Sequence, residues 1–167
     1  MVPPRVRCGS GYTPRAMRDP IPTHFFSLTV VRLGHRFLLV HERKHGQLWY
    51  LPAGRMERTE RFEDAALRET LEESGVRVAL DGVLRLEVTP GPTQNRIRVF
   101  FLAHPIDDAP PLCAPNEHSL EAGWFTLGEV ERLPLRGQEV FEILSAVERG
   151  APVHPLSLLQ LEGARWS

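Results

Sequence analysis

The sequence predicts a mixed α/β domain, with α+β and α/β layering both compatible with its element order. Two observations carry that expectation. Runs of β-branched and aromatic residues flank one strongly helical central stretch, and a second amphipathic helix closes the chain. Length and composition agree, because 167 residues with 42% apolar and 25% charged side chains can bury one core without metal or disulfide staples.

Residues 1–22 are rich in proline and arginine and show no periodicity, so an extended or flexible arm is expected there, with the domain running over 23–167. HFFSLTVVR and RFLLVHE, joined at Leu33-Gly34-His35, form a predicted hairpin. LWYLPAG follows as a short strand entering a Pro-Gly loop. Residues 60–74 make the best helix: Phe62, Ala66, Thr70 and Glu73 share a face, and Gly75 stands at the C-cap. GVLRLEV and IRVFFLAHP read as strands separated by the turn-rich TPGPTQN. A proline-rich loop over 105–117 leads to a strand at EAGWFTL. LGEVERL and GQEVFEILSAVERG then read as helices. No repeat or second domain is visible.

Charge and cysteine content exclude several classes of function. A net charge of −1 offers no field for duplex nucleic acid or an anionic membrane. Cys8 and Cys113 lack metal-ligand spacing and read as free thiols in a reducing compartment. The arginine-rich leader has no apolar core of a signal peptide, and no run approaches the roughly 18 apolar residues of a membrane span. A soluble, cytoplasmic protein is expected. Lys44 is the sole lysine, which leaves phosphate binding to arginine.

The chemistry concentrates on the central helix. Glu69, Glu72 and Glu73 stand at i, i+3 and i+4 and project from one face. Arg68, four residues before Glu72, explains Glu72 as a surface ion pair. Glu69 and Glu73 are instead a like-charged i,i+4 pair on the stripe shared with Phe62 and Ala66. Such an oxygen-only cluster suits a hard cation, Mg²⁺ or Mn²⁺. On geometry alone, a solvated acidic face is an equal alternative.

The stretch Gly54–Val76 resembles the Nudix box: glycine, five residues, Glu, seven residues, Arg-Glu, an aliphatic position, any residue, Glu-Glu, any residue, glycine, aliphatic. Gly54, Glu60, Arg68, Glu69, Glu72, Glu73, Gly75 and Val76 fall in register, and only Thr70 departs, in place of an aliphatic residue. Trp49, Leu51-Pro52 and Ala53 before the box, and Trp124-Phe125 after it, extend the resemblance over residues 24–148. It implies a Nudix fold, an α/β/α sandwich around a mixed β-sheet, and Mg²⁺-dependent hydrolysis of a pyrophosphate bond, with Mn²⁺ as a substitute ion.

The resemblance also implies roles. Glu69 and Glu73 would ligate metal directly, with Glu72 as a ligand or its neighbour, and the Ala53 carbonyl would join them. A further glutamate from the loop before the Trp-Phe strand is expected to reach the ions; Glu117 and Glu121 both qualify, and Glu117 is favoured. The general base is Glu69 or that downstream acid. Arg68 and Glu60 would brace the box loop against the helix. Gly54 would keep side chains clear of the substrate. Arg43 and Arg55 are candidate phosphate contacts, and Phe26, Trp49, Tyr50 and Trp124 candidate base-stacking aromatics, with core packing the alternative for each.

Substrate is read from outside the box. WYLPAGRME, RVFFLAHP, LPLR with Ile143 seven residues on, and the closing HPL resemble the human-type phosphatases of oxidised guanine nucleoside diphosphates. ADP-ribose is the rival, marked weakly by Pro92 about sixteen residues beyond the box. Dinucleoside polyphosphates and a non-catalytic Nudix-fold binding module are further alternatives, the last disfavoured because every box glutamate is kept. The expected partners are a small nucleotide and, as one option, a second copy of the chain in a homodimer.

Overall fold

Strand β1 (Thr23–Leu33) turns at Gly34, in the left-handed region at φ 60°, into β2 (Arg36–Glu42). The two pair antiparallel only near the turn, at Arg32–Phe37 and Leu33–Arg36. The computed structural model describes residues 20–165, so the arm expected over 1–22 and Cys8 lie almost wholly outside the described residues.

Beyond the hairpin, β1 splays from β2 and takes two other neighbours. One edge receives β4 (Ala53–Arg55), antiparallel, and the other receives β6 (Asn95–Pro105), parallel over nine residue pairs. β5 (Val78–Thr89) pairs antiparallel with β6, while β2 carries β3 (Trp49–Tyr50) and β7 (Ser119–Thr126). The sheet is therefore mixed, as the element order predicts.

Both faces of the sheet are covered, which explains why Val30 and Val31, or Phe37, Leu38 and Leu39, are buried without alternation. Helix α1 (Phe62–Ser74) covers one face, setting Ala66 against Val83, Val99 and Phe101. α2 (Leu127–Val130) and α3 (Glu139–Glu148) cover the other, setting Val130, Val140, Leu144 and Val147 against Val30, Phe37, Leu39 and Phe100. The result is the three-layer α/β/α sandwich that the box implies.

Small polar residues let α1 lie close to β1. Ser27 Oγ donates to the Phe62 carbonyl at 2.7 Å, and Thr70 Oγ1 donates to the Ala66 carbonyl at 2.7 Å. The buried Thr70 hydroxyl is thus satisfied within the helix, so the departure from an aliphatic residue leaves no orphaned polar group.

Three expectations shift. The Pro-Gly stretch after Leu51 is not only a loop, because Ala53-Gly54-Arg55 pair with Leu28-Ser27-Phe26 as a strand. β5 begins four residues before GVLRLEV; a bulge between Leu80 and Gly82 breaks the period-two pattern and hides its start. The helix expected over 127–133 is one turn, 127–130, because Pro134 disfavours helical backbone at Leu133. Among the described residues no helix is long and apolar enough to cross a membrane.

Candidate active site

Helix α1 stops at Gly75, whose φ of 73° carries the chain out and whose N–H donates to the Leu71 carbonyl. Its last turn contains Glu72 and Glu73 and no basic residue, with Glu69 just before it, so helix-end carbonyls and side-chain charges repel alike. Two features offset this. Asn116 Nδ2 donates to the Glu72 carbonyl at 2.8 Å and Ser119 Oγ donates to the Glu73 carbonyl at 2.6 Å, satisfying the helix end. Arg68 supplies the counter-charge. Its guanidinium holds Glu60 through two bonds (2.8 and 3.0 Å), Glu69 at 2.7 Å, Glu72 at 3.2 Å and the Arg55 carbonyl at 3.1 Å.

These contacts divide the carboxylates by electrostatic environment. The bond from Arg68 holds Glu60 below the usual carboxylate range. Burial raises Glu69, against the pull of Arg68. Glu73 is pushed up to about 8 by burial, against the Ala53 N–H that donates to it at 2.9 Å, and Glu69, Glu42 and Glu72 push the same way. Glu73 is therefore a buried acid surrounded by like charges.

Gly54 sits where the strand crosses these acids. A Cβ there would lie 1.8 Å from the Glu69 carboxyl carbon, so glycine lets the carboxylate rest against the backbone. The expected reason for this glycine, clearance for substrate, becomes clearance for Glu69. Gly54→Ala is accordingly expected to displace Glu69 and lower kcat/KM by about tenfold or more, on the scale of disturbed metal-site neighbours. Steady-state kinetics across Mg²⁺ concentrations check this; unchanged activity would mean that Glu69 has no need of its present position.

A cavity of about 530 Å³ opens beside the acids. Ala53, Gly54, Glu73, Glu117 and Glu42 line one end; Arg55, Arg96 and Arg98 line another part, with Phe26, Leu28 and Tyr50 among the apolar walls. Of the two loop glutamates, Glu117 lines this cavity. Glu121, opposite His41 in the β2–β7 pair, instead meets His41 Nδ1 at 3.2 Å and does not line the cavity.

Some expected contacts fall elsewhere. Trp49 is buried, stacked on His41 at 4.9 Å and in T-shaped contact with Phe125 at 4.8 Å, so it packs in the core and does not line the cavity. Trp124 packs beside Val31 and Leu38 under the α1 layer. Arg43 donates to the Asn116 carbonyl at 2.5 Å, bracing the loop that carries Glu117 rather than lining the cavity. Arg55 and Phe26 do line it.

Sequence reasoning missed Glu42, Arg96, Arg98, His118 and Arg136, all of which line the cavity. Arg136 pairs with Glu42 at 2.7 Å and covers the Tyr50 ring at 4.7 Å, while Glu42 Oε2 is buried without a partner among the described residues. The LPLR stretch held a signal for Arg136. Glu42 and the two β6 arginines arrive through strand pairing, which no local spacing announces.

As they stand, no three carboxylate or imidazole groups among the described residues converge on one point. Arg68 holds Glu69 and Glu72, and the Ala53 N–H holds Glu73. The donor set nonetheless fits a hard divalent cation: it is all oxygen, Glu42 Oε2 is buried without a partner among the described residues, and the only hydrogen bond to the Glu73 carboxylate among those residues comes from a neutral backbone N–H.

Known proteins give the same picture. A NUDIX domain model matches residues 23–145. An 8-oxo-dGDP phosphatase of Homo sapiens is 34% identical over 128 residues, covering 74% of this chain and 38% of that protein. An ADP-ribose pyrophosphatase of Mycobacterium tuberculosis is 28% identical over 130 residues, covering 74% and 63%. The chain thus spans little more than a third of the length of the first of these relatives. A NUDIX hydrolase structure from Nitrosomonas europaea superposes with a TM-score of 0.72 at 22% identity, over 85% of this chain and 99% of that one.

Proposed function

Since this chain belongs to the Nudix hydrolase family, we propose that it hydrolyses the phosphoanhydride bond of an oxidised guanine nucleoside diphosphate in a Mg²⁺-dependent reaction. The family's chemistry uses a divalent metal ion. The observation that carries the reading is Glu73: a buried carboxylate at the wall of a nucleotide-sized cavity, with Glu69 pressed on Gly54 beside it.

Glu69, Glu73, Glu72, the Ala53 carbonyl and Glu117 would hold Mg²⁺, with Mn²⁺ as a substitute. When bound, the ion polarises the phosphoryl oxygens and offsets their charge. The chain's own residues do the rest. Arg68, fixed on Glu60, keeps Glu69 and Glu72 aimed from the helix and ties the Arg55 backbone to them. Glu69 or Glu117 takes the proton of the attacking water. Water adds across the P–O–P bridge, giving nucleoside monophosphate and inorganic phosphate. The substrate is drawn from the cytoplasmic nucleotide pool.

The oxidised-guanine choice rests on the likeness to the 8-oxo-dGDP phosphatases in stretches outside the box. ADP-ribose is the second reading, favoured by the mycobacterial relative. Pro92 adds nothing to it, being exposed in the β5–β6 turn and absent from the cavity wall. Competing kinetics on 8-oxo-dGDP, dGDP and ADP-ribose decide the matter. The highest kcat/KM is expected for 8-oxo-dGDP, and a higher value for ADP-ribose would reverse the choice.

A further inference from the structure

Residues directly opposite one another across paired strands share a face of the sheet, and successive same-face rows lie two residues apart, about 7 Å. Three such rows run across β4, β1 and β6, and Ala53, Leu28, Arg55, Phe26, Arg98 and Arg96 of them line the cavity. Ala53, Leu28 and Phe100 form the first, next to Glu73. Arg55, Phe26 and Arg98 form the second, and His24 with Arg96 the third. The second and third rows therefore lie about 7 and about 13 Å from the first along the strands, the stretch that a base occupies when its phosphate sits by the acids.

The arginines on these rows are not equivalent. Arg98 is engaged with Glu87 at 2.5 Å and the Tyr50 hydroxyl at 3.5 Å. Arg55 and Arg96 are exposed and, among the described residues, neither has a carboxylate partner. Arg55 donates to His24 Nδ1, and His24 Nε2 in turn meets Gln94 Oε1 at 3.0 Å, which holds that end of the floor in place. Phe26, between Arg55 and Arg98, offers an apolar surface in the same row.

Guanidinium groups only donate hydrogen bonds. A base edge facing Arg55 and Arg96 must therefore present acceptors. A 6-oxopurine does so through its carbonyl, one of the two atoms with which arginine pairs in reading guanine; a 6-aminopurine turns an amino donor toward the fork at that position and keeps only ring nitrogens as acceptors. We propose that Arg55 and Arg96 select a 6-oxopurine over a 6-aminopurine, with the ring laid over Phe26. The assignment rests on the nucleoside diphosphate reading of the site and names its base class. An oxidised guanine gains a carbonyl at C8 while its N7 becomes a donor, so the 6-carbonyl is the acceptor that both guanine bases offer the arginines.

The test is isothermal titration of the full chain in EDTA with 8-oxo-dGMP, dGMP, dAMP and ribose 5-phosphate. Both guanine nucleotides are expected to bind about tenfold or more tightly than dAMP. Arg55→Met and Arg96→Met are each expected to erase most of that preference and to leave ribose 5-phosphate affinity unchanged, with circular dichroism confirming the fold. Equal affinity of dAMP and dGMP overturns the proposal, as does an equal loss of ribose 5-phosphate binding in the variants, which would make the arginines phosphate ligands. Failure of the chain to hydrolyse 8-oxo-dGDP with Mg²⁺ strikes the substrate reading alone, because base preference is measured without turnover.

Discussion

Glu73→Gln is expected to lower kcat by at least about 100-fold, because the charge proposed to hold the metal, worth several kcal/mol in the transition state, is removed while volume and the bond from Ala53 N–H are kept. The same substitution is expected to stabilise the metal-free protein. Burial raises the folded-state pKa of Glu73 to about 8, well above the ordinary carboxylate range of the unfolded chain. Below that range the group is neutral in both states and carries no penalty. As pH rises through the window up to about 8, the unfolded chain releases the proton first and folding loses stability. At about 1.4 kcal/mol per unit, the penalty reaches a few kcal/mol at alkaline pH. Melting curves in EDTA should therefore separate wild type from Glu73→Gln at pH 8.5 and bring them together at pH 4.5. A gap independent of pH would contradict the buried-acid account, and wild-type turnover at saturating Mg²⁺ would remove Glu73 from the site.

Arg68→Ala is the second large effect. The guanidinium is the only cation in contact with Glu60, Glu69 and Glu72 together among the described residues, so its loss leaves three acids facing one another. Breaking a fully buried pair costs about 3–5 kcal/mol, but the Arg68 side chain is 24% exposed and water screens part of this. About 2 kcal/mol, or roughly 5 °C in melting temperature for a domain of this size, is the expected destabilisation. Activity should fall with it, since Arg68 also binds the Arg55 carbonyl and so sets β4 against the helix. An unchanged melting temperature with only weaker metal affinity would show that Arg68 tunes the acids without bracing the loop.

Most of this site was readable along the chain because most of it is local. Gly54, Glu60, Arg68, Glu69 and Glu73 lie within twenty residues, and helix periodicity alone puts the acids on one face. The strands were readable for the same reason, from runs of β-branched and aromatic residues. What escaped depends on pairing at a distance. Arg98 reaches the cavity floor because β6 lies parallel to β1, setting it beside Phe26 across 72 residues. Trp49 reads as a plausible base platform in sequence, but it packs against His41 and against Phe125, the latter 76 residues later in the sequence. Asn116 and Ser119, which clamp the end of α1, look like ordinary loop residues until the loop is seen docked.

The parallel pairing of β1 with β6 has a consequence for how the protein emerges during synthesis. The box acids, β1 to β4, α1 and the Arg68–Glu60 brace are all made by residue 75, while Glu117, the Asn116 and Ser119 clamp and Arg136 come later. The basic end waits for β6, whose residues 95–103 close against 23–31 only after a loop of some seventy residues is gathered. Long-range parallel pairing is slow to form, since the entropy of closing the loop comes before the contacts that offset it. Until then the edge of β1 that will receive β6 stays open on a growing chain, a template for unwanted strand addition. The nascent protein therefore holds its acid cluster before it has the arginine floor that completes the pocket.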